Sequence, residues 1–98
     1  MSYHPENINE GRKAVATDNT AVALVSASTK CKQLFISAEV DNAEAIVIGG
    51  SAVVYSPVAS RTGKLLYPGD SITLDINDVS KIYINGKASD GVTFTYTS

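Results

Sequence analysis

The sequence predicts an all-β domain, an antiparallel β-sandwich or jelly-roll-like small barrel of about seven to eight short strands with an extended N-terminal arm. Three observations carry that expectation. Apolar and polar residues alternate in short runs, as where Ile72, Leu74 and Ile76 alternate with Ser71, Thr73 and Asp75. Turn-forming residues separate the runs, among them Asp18-Asn19, Asp41-Asn42, Gly49-Gly50 and Pro68-Gly69. The runs recur about every 8 to 12 residues, a sandwich rhythm, and no long crossover is available for a parallel βαβ unit.

Taken in order, residues 1–11 (MSYHPENINEG) are polar, contain Pro5 and offer Ile8 as the aliphatic anchor. They read as an arm, disordered or laid against a neighbour. Residues 12–98 are expected to form the single β-sandwich domain. Ala14 to Thr17 is a weak first strand, Asp18-Asn19 a turn, and Ala21 to Val25 a second strand. Good helix formers occur between Ala14 and Ala27, but Val15, Thr17, Thr20, Val22 and Val25 weigh against a helix.

Cys31 to Val40 is expected to be the longest strand, with Leu34, Ile36, Ala38 and Val40 on one face and Gln33, Phe35, Ser37 and Glu39 on the other. After Asp41 to Glu44 comes a strand over Ala45 to Ile48. Gly49-Gly50 ends it at a corner or bulge, since paired glycines allow positive φ. Ala52 to Tyr55 follows as a strand, then Ser56 to Gly63 as a flexible loop. Lys64 to Tyr67 leads into Pro68-Gly69, suited to the centre of a type II turn. Ser71 to Ile76, Lys81 to Ile84 and Val92 to Tyr96 complete the set; the last puts Val92, Phe94 and Tyr96 on one face and Thr93, Thr95 and Thr97 on the other.

Phe35, Val47 and Tyr83 fall on faces that their strands should give to solvent. With Ile8 in the arm they are the candidate interface. Burying one such side chain is worth roughly 1.5–3 kcal/mol, so two or three per subunit suffice to hold an oligomer. The alternative is a central strand buried on both faces within one subunit.

The 98 residues leave room for one core, and net charge is −2 with the basic residues scattered. Nucleic-acid binding requires a concentrated positive field, so Arg12-Lys13 and Lys30/Lys32 read as solvated edges. No run approaches the ~18 apolar residues of a membrane span, and residues 1–13 lack the apolar core of a signal peptide. The expected product is soluble and made inside a cell. Cys31 is the sole cysteine, which rules out an internal disulfide and fits a reducing compartment.

No residue pattern points to catalysis. His4 is the only histidine; it sits in the arm before Pro5 and cannot make a zinc site with Cys31 alone. Lys30 and Lys32 would lower the Cys31 thiol pKa if it were exposed, but a strand cysteine more often packs as a small side chain. Asp41/Glu44, Asp70, Asp75/Asp78 and Asp90 are not spaced to face one another across a cleft. Asp75 to Asp78 matches half a calcium loop but lacks the central Gly and terminal Glu, and turn capping explains it better. Gly49-Gly50 precedes a strand where a phosphate loop would open a helix. Tyr55, Tyr67, Tyr83 and Tyr96 would make a sugar-stacking platform if they shared a surface, yet alternation puts Tyr96 with the core-facing Val92 and Phe94. We therefore expect a non-enzyme with no cofactor and no metal.

Several elements together have a wider likeness. These are the Asp41-Asn42 turn, Val47-Ile48-Gly49-Gly50 closing a strand, Pro68-Gly69-Asp70-Ser71 leading into Ile72 to Ile76, Lys81 to Ile84, and the closing Val92 to Tyr96. In these the chain resembles small β-sandwich virion proteins of tailed bacteriophages, of the capsid decoration or cement type. The likeness spans roughly the last two-thirds of the chain and consists mostly of turn chemistry. It implies a subunit on the outer capsid surface, made in the host cytoplasm, that braces neighbouring major capsid proteins, as a homo-oligomer with a trimer favoured. It carries over no catalytic or ligand-binding residue. A tail, baseplate or head-fibre component and a glycan-binding sandwich module are the alternatives.

Overall fold

Alternation in this sequence resolves into two four-stranded antiparallel sheets in the computed structural model, which describes residues 8–98. The strands are β1 (Ile8–Ala14), β2 (Val22–Ala23), β3 (Gln33–Ala38), β4 (Ile46–Gly49), β5 (Lys64–Leu66), β6 (Ser71–Leu74), β7 (Tyr83–Asn85) and β8 (Gly91–Thr97). The first sheet runs β1-β8-β3-β6 and the second β2-β7-β4-β5. Every connection but β4–β5 passes from one sheet to the other. This interleaving is the strand order of a double-sheet jelly roll. No α-helix occurs among the described residues; Val58–Ser60 and Val79–Lys81 form short 3₁₀ turns.

The core lies between the sheets. Leu34, Ile36, Ala38, Val92 and Phe94 come from the first sheet, and Ile46, Ile48, Leu66 and Ile84 from the second. Val15, Leu24, Cys31, Val79 and Ile82, on the connections, close its ends. Each large aliphatic so buried contributes about 1.5–3 kcal/mol of apolar burial. On β8 the alternation is realised: Val92 and Phe94 are buried, while Thr93, Thr95 and Thr97 face outward.

Several expectations change. The first strand is Ile8–Ala14 rather than Ala14 to Thr17, so Ile8 to Gly11 belong to the sheet; residues 1–7 of the expected arm, His4 included, lie outside the described residues. Partnership with β8, in register from Ile8↔Thr97 to Ala14↔Gly91, specifies β1 more than its own composition does. Gly11 sits opposite Phe94, and a Cβ there would lie 2.6 Å from the ring Cζ, so the absent side chain is the space the ring fills. β3 stops at Ala38, and a turn closed by the Asn42 amide on the Glu39 carbonyl leaves Val40 outside, 83% exposed. β3 is consequently shorter than β1 and β8.

The Tyr67 to Asp70 turn forms as expected: Gly69 has φ +90°, and the Asp70 amide donates to the Tyr67 carbonyl at 2.8 Å. The expected corner also ends β4 at Gly49-Gly50, although neither glycine has positive φ. A turn there is closed by the Val53 amide on the Gly50 carbonyl, and Val53 packs onto Gly49, whose Cβ would meet it at 3.0 Å.

Residues 50–63 do not hold the expected strand over Ala52 to Tyr55. They form a flap folded back across the outer face of the second sheet. Asn85 Nδ2 reaches the Val53 carbonyl at 3.0 Å, and Val54 and Thr62 exchange hydrogen bonds of 3.0 and 2.9 Å across the flap. Its far end meets the β1–β2 connection, where Asn19 Oδ1 accepts the Tyr55 and Ser56 amides and Asn19 Nδ2 donates to the Ser56 carbonyl at 2.7 Å.

That cover corrects the reading of Val47. Val47 is fully buried, and it lies outside the main core cluster because it points away from Ile46 and Ile48. Its cross-strand partner Asn85 is likewise buried and bonded to the flap. Both faces of β4 are inside one subunit.

Candidate functional site

The largest regular surface the fold leaves open is the outer face of the first sheet. Register fixes its composition. One row across the strands reads Glu10, Thr95, Phe35 and Thr73; the next reads Arg12, Thr93, Ser37 and Ser71; at the other end Ile8, Thr97 and Gln33 align. Rows and strands are spaced by roughly 7 and 4.8 Å, as in any pleated sheet. The result is a hydroxyl-bearing face with one aromatic side chain at its middle.

Phe35 is 43% exposed although it is flanked on both sides by paired strands. With Glu10, Arg12, Ser37, Thr93 and Thr95 it lines a shallow open depression of about 410 Å³. Ile8, 70% exposed, stands at the rim of the same sheet. Arg12 grips Glu39 in a two-pronged ion pair, Nε to Oε2 at 2.5 Å and Nη2 to Oε1 at 2.8 Å. Its own guanidinium pKa rises for that reason, through the hydrogen bond first and the charge second. Arg12 remains exposed, as expected of a solvated edge, and the pair ties that edge to Glu39.

The four residues of the expected interface are thus not brought together. Ile8 and Phe35 share the first sheet. Tyr83, half-buried, lies on the outer face of the second sheet, opposite Gly49 and Ala23. Val47 is beneath the flap. Sequence reasoning missed Val58, 72% exposed at the flap tip, and weighed Tyr67, 61% exposed at the β5–β6 turn, only for sugar stacking. The available signal for Val58 was the uncharged run Pro57-Val58-Ala59 inside a loop otherwise read only for its breakers.

The remaining polar groups serve the fold. Asp78 caps the 3₁₀ turn: Oδ1 accepts the Thr29 and Ser80 amides at 2.9 Å, and the Ser80 hydroxyl at 2.7 Å. Its Oδ2 accepts the Ser28 hydroxyl at 2.5 Å. These donors hold the Asp78 carboxyl well below the usual carboxylate range, the Ser28 bond having the largest effect. Buried Asp90 receives the Ala43 and Glu44 amides at 2.8 and 2.9 Å. Cys31 is buried and its thiol donates to the Ile76 carbonyl at 3.0 Å; burial first, then the Asp78 charge, pushes its pKa up. Among the described residues no three His, Cys, Asp or Glu side chains gather as metal ligands.

The tyrosines do not form a row. Tyr96 stacks on Phe94 at 6.3 Å between centroids. Tyr55 gives its hydroxyl to Glu44 and lies under Arg61, whose guanidinium carbon is 4.7 Å from the ring centre. The Glu44 bond raises the phenol pKa.

No protein-family model matches the chain, and no curated protein does. Among solved structures it is similar to a chain of the disulfide-linked pili of Bacillus endospore appendages, at 18% identity and a TM-score of 0.43, with 99% of this chain and 96% of that chain covered. A likeness at that level carries no argument about what this chain does.

Proposed function

We propose that this chain is a structural subunit of a bacteriophage-type particle, a capsid decoration protein that acts as a homo-oligomer and braces neighbouring major capsid proteins. The observation that carries the reading is Phe35, half-exposed in the middle of a flat, ordered sheet face. The exposed part of that ring adds little to a monomer and an interface would bury it, because a central aromatic anchor within a polar rim is the usual core of a contact. The hydroxyls of Thr93, Thr95, Ser37 and Thr73 around it supply that rim. A preformed sheet face also loses little entropy on association. The turn pattern from Asp41 to Tyr96, which resembles that of phage decoration proteins, supports the particle as the setting.

The test adds purified wild-type chain and Phe35→Asp to undecorated capsids and counts bound subunits by electron microscopy. The reading expects ordered occupancy for the wild type and a large loss for the variant. Absence of wild-type chain from the capsid surface would overturn it.

A further inference from the structure

We infer that residues 54–62, the outer lobe of the flap, open as one unit while the sandwich stays folded, and that the Asn19 side chain is the latch. This conformational device is independent of what the Phe35 face binds.

The root of the flap and its outer lobe are held differently. At the root, Val53 is buried against Gly49 and Gly63, and its carbonyl accepts from Asn85 Nδ2 at 3.0 Å. From Val54 to Thr62 no side chain is buried. The lobe therefore gains little hydrophobic free energy from its closed position, and hydrogen bonds hold it there. Its bonds to the body run to two side chains, Asn19 and Glu44. A crevice of about 220 Å³, lined by Asp18, Glu44, Tyr55 and Lys87 among others, already marks the seam between them. Inside the lobe, Val54 bonds Thr62, Ser60 bonds Pro57, and Arg61 bonds and stacks on Tyr55. A lone hairpin is marginal in water, so these internal bonds are lost once the lobe leaves the body. Opening is cooperative for that reason.

Asn19 is suited to the latch by its backbone as well as its side chain. It has φ +56°, in the left-handed region that Asn adopts more readily than most residues. Its amide donates to the Gly86 carbonyl at 2.9 Å, and Asp18 Oδ1 accepts the Ala88 amide at 2.6 Å. The latch is thereby fixed to the β7–β8 connection. From there its carboxamide uses both functions on the lobe. Oδ1 accepts the Tyr55 and Ser56 amides at 3.3 and 3.0 Å, and Nδ2 donates to the Ser56 carbonyl at 2.7 Å. Glycine would keep the backbone and aspartate the acceptor, but asparagine supplies the backbone, the acceptor and the donor together.

Amide hydrogen exchange of the intact chain, followed by NMR with and without low urea, is the test. In the wild type the Ser56 and Thr62 amides share one opening constant. It is about a hundredfold larger than that of the β8 amides and nearly independent of urea. Ile36→Val, in the buried core of the first sheet, weakens the closed and open forms alike. It therefore speeds β8 exchange roughly fivefold and leaves Thr62 unchanged. Asn19→Gly weakens the closed form and spares the open one, so it speeds Thr62 and β8 by the same factor, about tenfold. The Thr62 amide bonds to the Val54 carbonyl and not to Asn19, so direct bond loss does not produce this effect. Asn19→Asp, which keeps the acceptor, falls between wild type and Asn19→Gly. If Thr62 shares the opening constant and urea slope of β8, or follows it in Ile36→Val, the lobe does not open apart from the sandwich and the inference falls. It falls equally if Asn19→Gly speeds Ser56 and leaves Thr62 at the wild-type rate.

Discussion

The Asn42 carboxamide holds Gly91 on both of its backbone groups: Nδ2 donates to the Gly91 carbonyl at 2.9 Å, and Oδ1 accepts the Gly91 amide at 2.8 Å. This reciprocal pair closes one end of the sandwich where the β3–β4 connection meets the start of β8. The adjacent Asp90 carboxylate fixes the Ala43 and Glu44 amides in the same connection. Asn42→Ala leaves the partly buried Gly91 amide without its acceptor, while the Gly91 carbonyl keeps the Glu39 amide at 3.1 Å, so it should cost about 1–3 kcal/mol. Urea unfolding measures this, and Asn42→Asp, which keeps the acceptor and loses the donor, should fall between wild type and Ala.

Asp78 predicts a pH dependence. Its carboxyl titrates below the unfolded value of 3.8 because Ser28, Thr29 and Ser80 donate to the charged form. At acid pH the unfolded chain therefore takes up a proton before the folded chain does. The stabilisation from this site is full above the unfolded pKa and is lost as pH falls from there toward the lower folded value. Unfolding free energy measured from pH 5 down to pH 2 should fall less steeply in Asp78→Asn than in wild type, from a lower starting stability. Parallel slopes would contradict the assignment.

Two glycines in the flap should respond oppositely to alanine. Gly63 has φ +86°, and a Cβ there would sit 2.5 Å from the Ile48 carbonyl oxygen, so Gly63→Ala should destabilise by about 2–3 kcal/mol. At Gly50 a Cβ meets nothing within 4 Å and φ is not positive. Gly50→Ala should leave stability unchanged or raise it by about 0.4–1 kcal/mol through the unfolded chain. Thermal melts of the pair make the comparison.

Val47 and Phe35 separate folding from contact. Val47→Ala should cost about 2 kcal/mol, and Val47→Asp should prevent folding, since it places a charge beneath the flap. Phe35→Ser should shift stability by less than about 1 kcal/mol, because the ring is already half in solvent. Denaturant midpoints decide it.

The fold was legible wherever a strand carried its own inside and outside. β8 is the clearest instance: period-two alternation of Val92, Phe94 and Tyr96 against three threonines is one buried face and one open face. β1 was not legible because its inward positions, Asn9, Gly11 and Lys13, look like a coil sequence. The space that Gly11 leaves for the distant Phe94 ring is what makes that strand fit. Val47 was misplaced for a related reason, since its cover is a segment that folds back on it from residues 50–63. Phe35 could be found from β3 alone, because an aromatic opposite Leu34 and Ile36 in the alternation must leave the core. For Val58 the uncharged run around it was the one signal, since its exposure depends on a clamp in which Asn19 and Glu44 reach the flap from elsewhere in the chain and Arg61 acts from within it.

The central claim is that the Phe35 face is buried between chains. Sedimentation equilibrium of the purified protein over a hundredfold concentration range tests it most directly. The account predicts an assembly of several 10.3 kDa chains, with association abolished by Phe35→Asp. A single 10.3 kDa species at every concentration would contradict it.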